Sequence, residues 1–523
     1  MKQGFRTEIG APARVRANRR AWIGLAVLGL PTILLALDLS VVYLALPRLS
    51  ADLGATSVQQ LWITDIYGFV TAGFLVTMGT LGDRIGRRKL LLIGAVCFGV
   101  TSVLAAYSTT AGMLIGARAV MGLAGATLMP STLALITNMF TDARDRATAI
   151  AVWTACFMVG AAIGPVVGGA LLEHFWWGSL FLLGVPVMVL LLVCAPFLLP
   201  EYRDAGAGGL DMVSVGLSLV AVLPIIYAIK ALARGGFSIA TAAAAAIGLV
   251  AGIVFVNRQR SLASPLLDVR LFRNQAFSAA LLILMLGIAT QGGIMLLVSQ
   301  HLQIVEGLSP WRAGWALMPA SIAMVIGCML APFAAHRVRP GWIVAGGLVI
   351  TAIGYASLAR VNGRDDLNAI VFGAILVFFG IGPMAVFSQD LVVSAVPAEK
   401  AGSAAALSET SGDFGIALGV AVFGSISNAI YDHRLASLAT MLPPDLAAVA
   451  RSSVAGAMEL ARHVRAPQST VVVDAARGAF TEGLRVAAAV SAVVALALAA
   501  LAGKVLGRRR GGIGRRPPYT PSE

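Results

Sequence analysis

The chain has 523 residues, of which 58% are apolar and only 12% charged, and its 39 Lys and Arg against 25 Asp and Glu leave a formal charge of +14. Soluble chains carry about 25% charged residues. The composition therefore excludes a soluble multidomain protein, a disordered chain, a coiled coil and a secreted disulfide scaffold. Cys97, Cys156, Cys194 and Cys328 each fall in a separate apolar run, so they form neither a disulfide framework nor a metal cluster and read as small buried hydrophobes.

The charges cluster between apolar runs of about 20 residues, the length that crosses a ~30 Å hydrocarbon core. In chain order the predicted spans lie at 22–46, 59–80, 90–108, 111–135, 147–172, 178–199, 211–232, 238–256, 276–300, 312–335, 342–359, 367–391, 403–428 and 480–502. In the seventh and eighth, Lys230 and Arg234 close one run and the alanines from Ala242 to Ala246 dilute the other. The first run is too long for a signal-peptide core and lacks a small-residue cleavage site, so it is expected to be retained.

Fourteen spans place both termini on one side. If that side is the cytoplasm, 26 of the 39 Lys and Arg lie there, and five of the twelve outer ones belong to a long loop at 429–479, where the positive-inside rule is weak. The expectation is an all-α polytopic protein of a bacterial cytoplasmic membrane with both termini inside. The positive charge is thus a topology signal and not a nucleic-acid footprint. In the outer loop, Pro443-Pro444-Asp445 followed by Leu446, Val449, Ala450, Val454 and Met458 predicts an amphipathic helix over the outer mouth.

Charges at hydrocarbon depth are costly and are functional candidates. They are Asp38 in span 1, Asp65 in span 2, Arg118 in span 4, and Glu409 with Asp413 in span 13. At ~1.5 Å per residue, Asp38 and Asp65 are expected roughly 9 to 12 Å below the outer surface. Glu409 is expected near the inner end and Asp413 one turn deeper on the same face. A purely structural ion-pair role is limited by there being one deep basic partner, Arg118. A carboxylate in low dielectric that binds either a proton or a cation can exchange one for the other. Trp62 and Phe69 flank Asp65 at i−3 and i+4, which suits a lipophilic cation through cation–π contact, although lipid contact or packing is the plainer role for both rings. His174, His301, His336, His433 and His463 all lie outside the deep regions, so a histidine relay is not expected. No phosphate-binding GxxxxGK[ST] loop, HExxH or CxxC occurs, so no cofactor, ATP site or enzyme chemistry is expected, and protons are the coupling ion.

The loop between spans 2 and 3 runs from Gly79 through Asp83, Arg84, Gly86 and Arg87 to Lys89. Its Asp and three glycines exceed what retention charge needs. Asp83 against a helix N-terminus, with the arginines against helix C-termini, would make a latch that stabilises one access state. In span 5, Gly160, Gly164, Pro165, Gly168 and Gly169 predict close helix packing with a bend.

Together these stretches resemble the major facilitator superfamily, and within it the fourteen-span drug:proton antiporters. The loop from Gly79 to Lys89 is similar to that superfamily's signature between spans 2 and 3. Leu37 to Pro47, Gln60 to Tyr67, Arg118 to Ala126, Gly160 to Gly169, Pro265 to Phe272 and Ser408 to Gly415 are similar to further family motifs. The resemblance spans about Trp22 to Leu501. It implies two pseudo-symmetric six-helix bundles, 22–199 and 276–502, with spans 7 and 8 inserted within 200–275, and basic tails at 1–21 and 503–523. It further implies alternating access, a proton-coupling role for Arg118, and export of lipophilic cationic drugs, dyes and quaternary ammonium antiseptics by a functional monomer in the bilayer, without nucleic acid.

Two features depart from the pattern. The loop from Ala335 to Pro340 keeps only a degraded form of the span 2 to 3 signature, which puts a second latch in doubt, and spans 9 to 11 lack a deep acidic residue. Asp390 receives no role. The rival readings are an exporter of a metabolite, lipid or self-made antibiotic, and a membrane sensor or adaptor without flux.

Overall fold

The computed structural model describes residues 18–55, 57–203, 211–235, 238–262, 265–363, 366–397, 401–436, 457 and 468–507. Fourteen helices among them are long and apolar enough to cross a membrane. They are α1 (Arg19–Leu53), α2 (Ser57–Ile85), α3 (Arg87–Ala106), α4 (Ala111–Met139), α5 (Ala143–His174), α6 (Ser179–Leu198, interrupted at Leu183) and α7 (Met212–Gly235). The rest are α8 (Ile239–Ser261), α9 (Gln275–Ile304), α10 (Pro310–Ala334), α11 (Pro340–Leu358), α12 (Leu367–Ser394), α13 (Ala401–Ala436) and α14 (Gln468–Leu501).

Every predicted span is present, and the helices overrun the apolar runs where polar groups find partners. Thus α1 continues through Arg48, whose guanidinium donates to the Leu172 carbonyl, and stops at Gly54, whose φ of +58° costs glycine nothing. The expected loop at 429–479 is partly helical, because α13 runs to Ala436 and α14 begins at Gln468. The charges that end the apolar run are satisfied there: Arg485 and Arg434 pair with Glu482, and Arg477 donates to the Ile304 carbonyl. The amphipathic helix expected after Pro443 lies outside the described residues.

Side-chain oxygens close the helix starts. Thr110 accepts from the Met113 amide, Asp142 from those of Arg144 and Asp145, and Ser238 and Thr241 form a reciprocal capping box.

The helices pair by a rule that repeats. In the first half α1 packs on α5, α2 on α4, and α3 on α4 and α6; in the second, α9 packs on α13, α10 on α12, and α11 on α12 and α14. Adding eight to each helix number converts one set into the other. The contacts between halves obey the same rule, since α5 meets α10 and α12 while α13 meets α2 and α4. That is a pseudo-twofold arrangement of two six-helix bundles. The inserted α7 and α8 pack on each other, and α7 also touches α2 and α13, so the pair covers only one of the two seams. Arg258 of α8 donates to Asp211 beside α7 at 2.7 and 3.0 Å. That bond, with one from Ser214, holds the Asp211 carboxyl well below the usual carboxylate range.

Two crossings depend on glycine. A Cβ on Gly160 of α5 would overlap the Ile33 carbonyl of α1, and one on Gly419 of α13 would overlap the Ala289 carbonyl of α9. These are equivalent crossings in the two halves. Gly160→Leu and Gly419→Leu should each cost ~1–3 kcal/mol or more through overpacking. Lowered thermal midpoints and reduced monodisperse yield in detergent would show this, whereas Gly116→Leu, where nothing lies within 4 Å of the added carbon, should behave as wild type.

Candidate functional site

Odd-numbered helices of the first half begin, and even-numbered ones end, at the end of the bundle that carries both termini. Asp83 lies there, two residues before the end of α2, and reaches across to the first turn of α13. Its Oδ1 accepts from the Gly402 amide at 3.2 Å, and its Oδ2 accepts from the Ser403 amide at 3.0 Å and the Ser403 hydroxyl at 2.9 Å. A carboxylate at a helix N-terminus gains both unsatisfied amides and the favourable end of the helix dipole. The guanidinium against Asp83 is that of Arg87, buried one turn on, and not that of Arg84, which is half-buried beside it. Arg87 lies over Gly402, leaving no room for a side chain, and a Cβ on Gly79 would come within 2.7 Å of the Gly402 carbonyl.

The remaining loop residues anchor to the first half. Arg88 donates to the Pro196 and Leu199 carbonyls at the end of α6, at 3.1 and 3.0 Å. Glu201 accepts from the amides of Arg88 and Lys89, the start of α3, at 3.0 and 3.1 Å. Gly86 has φ +113°, and a Cβ there would lie 2.6 Å from Glu201 Oε1. The contacts expected of this loop are thus present, with carboxylates on helix starts and an arginine on a helix end. Gly402, Ser403 and Glu201 carried no motif of their own, and only their position opposite Asp83 and Arg88 identifies them.

A second tie lies at the same end. Arg146, in the first turn of α5, donates to Asp390 near the end of α12 at 2.6 Å, and Thr154 donates to Gln389 at 3.2 Å. Asp390 therefore bridges the halves. The loop from Ala335 to Pro340 makes no such bridge among the described contacts, and the tie opposite the Asp83 latch comes from α5 and α12.

The deep charges form two groups. Asp38 and Asp65 are 8% and 7% exposed. Asp38 lies 15 residues before the end of α1 at Leu53, some 22 Å along the helix. It faces Arg118 of α4, whose Nη1 is 3.2 Å from Asp38 Oδ2. Arg118 Nε donates to the Ile63 carbonyl at 2.7 Å, and its guanidinium stands over the Tyr67 and Phe181 rings at 5.2 and 5.9 Å. One arginine thereby joins α1, α2, α4 and α6. Small residues let α2 approach, since a Cβ on Gly122 would come 2.5 Å from the Tyr67 carbonyl.

The second group belongs to α13. Glu409 lies two turns in from the latch and Asp413 one turn further. Glu409 Oε1 is buried without a hydrogen-bond partner, and Asp413 is near enough to interact electrostatically with both Glu409 and Tyr67. Tyr67 is within the same reach of Asp38 and Arg118, so its ring stands between the two groups. On α2, Trp62 is 43% exposed and its ring lies 6.2 Å from that of Phe69. In α5, Gly164 is buried, Gly168 would place a Cβ 3.1 Å from Val41, and Gly169 is half-buried; Gly160 makes the close approach. Pro165 lies within the helix.

This architecture, two helical halves tied at one end around buried charges, is that of a transporter. The family model for the Major Facilitator Superfamily matches residues 28–420, and the chain belongs to that family. It is a multi-pass membrane transporter and not an enzyme. It is 43% identical to the multidrug efflux pump LfrA of Mycolicibacterium smegmatis, over 94% of this chain and 98% of that one. It is 33% identical to the methyl viologen resistance protein SmvA of Salmonella typhimurium, over 88% and 93%. The crystal structure of the human organic anion transporter MFSD10 (TETRAN) shares the fold, with a TM-score of 0.58 at 14% identity, covering 92% of this chain and 99% of that one.

Two predictions follow from this geometry. Arg118→Gln, which strands the buried Asp38 charge, should destabilise by about 3–5 kcal/mol, and the double variant Asp38→Asn/Arg118→Gln should be less destabilised than the sum of the singles. Denaturation in detergent reads both, and strict additivity would show the pair to be uncoupled. Asp83→Asn should open the terminus-bearing end, so that a cysteine placed at Ser403 in that background is labelled faster by a water-soluble maleimide than in an Asp83 background.

Proposed function

We propose that the chain exports lipophilic cations, including drugs, dyes and quaternary ammonium antiseptics, in exchange for protons by alternating access. The observation that carries this reading is the buried, unpartnered Oε1 of Glu409 with Asp413 one turn away, set opposite the Asp38–Arg118 pair across Tyr67. Net negative charge at hydrocarbon depth is stabilised by a proton or by a cationic guest, and either one displaces the other. Glu409, Asp413 and Asp65 are assigned to substrate and proton, with Trp62 and Phe69 as the apolar wall. Asp38 and Arg118 couple the proton to the arrangement of α1, α2, α4 and α6, since protonating Asp38 removes the charge that holds Arg118.

The naming of relatives for multidrug efflux and methyl viologen resistance supports this cargo class. The distribution of Lys and Arg supports a bacterial cytoplasmic membrane with both termini inside. With that orientation, the Asp83–Ser403 and Arg146–Asp390 ties hold the two halves together at the cytoplasmic end. Opening inward requires the carboxylate of Asp83 to leave the α13 amides, at a cost that binding energy at the central site must offset. The protein works as a monomer, since each half presents its seam to the other half of the same chain.

Proteoliposomes with an imposed pH gradient test the reading. Ethidium should move against the proton flow, and Glu409→Gln and Asp38→Asn should each lower gradient-driven flux roughly tenfold or more. Flux that ignores the gradient in folded protein would remove proton coupling, and full activity of Glu409→Gln would remove that residue from the site. A second reading, export of an antibiotic made by the producing cell, is favoured by 28% identity to the tetracenomycin C resistance and export protein of Streptomyces glaucescens, over 92% of this chain. It expects no ethidium flux at all.

A further inference from the structure

A groove of about 600 Å³ opens at the terminus-bearing end between the start of α11 and the end of α14. It is remote in sequence from both charge groups of the pathway. Arg339 and Lys504 line it together with Trp342, and Gly503 and Ala500 form part of its wall. The last turn of α14 widens here into a short π-helical segment, Ala502–Leu506, which brings Lys504 to the rim. Both cationic side chains are exposed. Arg339 donates to the Gly507 carbonyl at 3.3 Å, and among the described residues no carboxylate pairs with Arg339 or Lys504.

Two apolar stripes lead out of the groove along the outer surface of the bundle. On α11, Trp342, Val349 and Ile353 are 56%, 41% and 55% exposed and recur at helical spacing. On α14, Val493 and Leu496 are 67% and 51% exposed and lead to Ala500 on the same face. The α11 stripe begins at Trp342 and the α14 stripe ends at Ala500, so both start from the groove. Two cations without a carboxylate partner among the described residues, an indole with a polar edge and two hydrocarbon tracks match one kind of molecule.

We propose that this groove binds an anionic glycerophospholipid, with its phosphodiester between Arg339 and Lys504, its glycerol region against Trp342, and its acyl chains along the α11 and α14 stripes. Charge complementarity disfavours occupation by the chain's own C-terminal segment, which begins Arg508-Arg509-Arg510. A zwitterionic lipid offers the same chains, but its own ammonium competes with the two cations for the phosphate. A bound lipid here would brace α11 against α14, a contact within the second half that does not have to move when the two halves rock against each other.

Native mass spectrometry of the full-length protein in a neutral detergent tests this. The probes are phosphatidylglycerol, phosphatidylcholine of the same chain length, and inorganic phosphate. Phosphatidylglycerol should be retained at roughly tenfold lower concentration than phosphatidylcholine, and Lys504→Glu should abolish that preference without lowering the thermal midpoint of the lipid-free protein. Arg339→Gln/Lys504→Gln should do the same for preference, whereas Arg508→Gln/Arg509→Gln/Arg510→Gln should leave it intact. Equal retention of the two lipids overturns the assignment, as does an unaltered preference in Lys504→Glu. Loss of preference only in the triple tail variant assigns the lipid to the tail and likewise overturns it. Competition by millimolar phosphate as effective as by the lipid itself would reduce the groove to a phosphate site without a lipid.

Discussion

An ionised side chain surrounded by hydrocarbon must be paired, protonated or wetted, and the charged residues of this protein are arranged around that constraint. Arg118 satisfies it for Asp38 and, through the Ile63 carbonyl and the Tyr67 ring, draws α2 into the same cluster. Glu409 leaves it unsatisfied at one oxygen. The two members of the pair depend on each other, because removing one strands the other. The unsatisfied oxygen is one that a proton or a cation can complete.

The same electrostatic logic governs the end that carries the termini, with helix amides in the place of arginine. Asp83 takes the first amides of α13 from across the seam, while Glu201 takes the first amides of α3 from within its own half. One carboxylate therefore joins the two halves to each other and the other joins helices within one half. Arg146 and Asp390 supply the counterpart at the second seam without the loop motif that the pseudo-symmetry would suggest. The inserted α7 and α8 cover only the α2–α13 seam. The two sides of the molecule are hence unequal, and the latch is on the covered side.

The fourteen spans and the class of fold were legible in the residues, since hydrophobic length and cation placement act locally and need no partner. That Asp83 would meet a helix start was legible in kind, from an Asp between glycines beside a run of arginines. Its partners were not: Gly402 and Ser403 are small residues in an alanine-rich segment, and Arg87 rather than Arg84 meets Asp83 because only the residue one turn on shares its face. Asp390, without a role in the sequence reading, acquires one only when α12 is laid beside α5. The length of α1 was not legible either, since the helix continues past its apolar run once Arg48 finds the Leu172 carbonyl.

In this basic, apolar chain of 523 residues the division of charge separates what each level decides. Sequence alone determined that the scaffold is a fourteen-helix membrane transporter and which few charged residues fall within its spans. These follow from transfer free energies, which each segment carries by itself. Which acid is paired and which is not was decided by tertiary structure, because pairing depends on the approach of helices distant in the chain. Asp38 and Glu409 look alike as isolated residues; Arg118, 80 positions from Asp38, pairs with one and leaves an oxygen of the other without a hydrogen-bond partner.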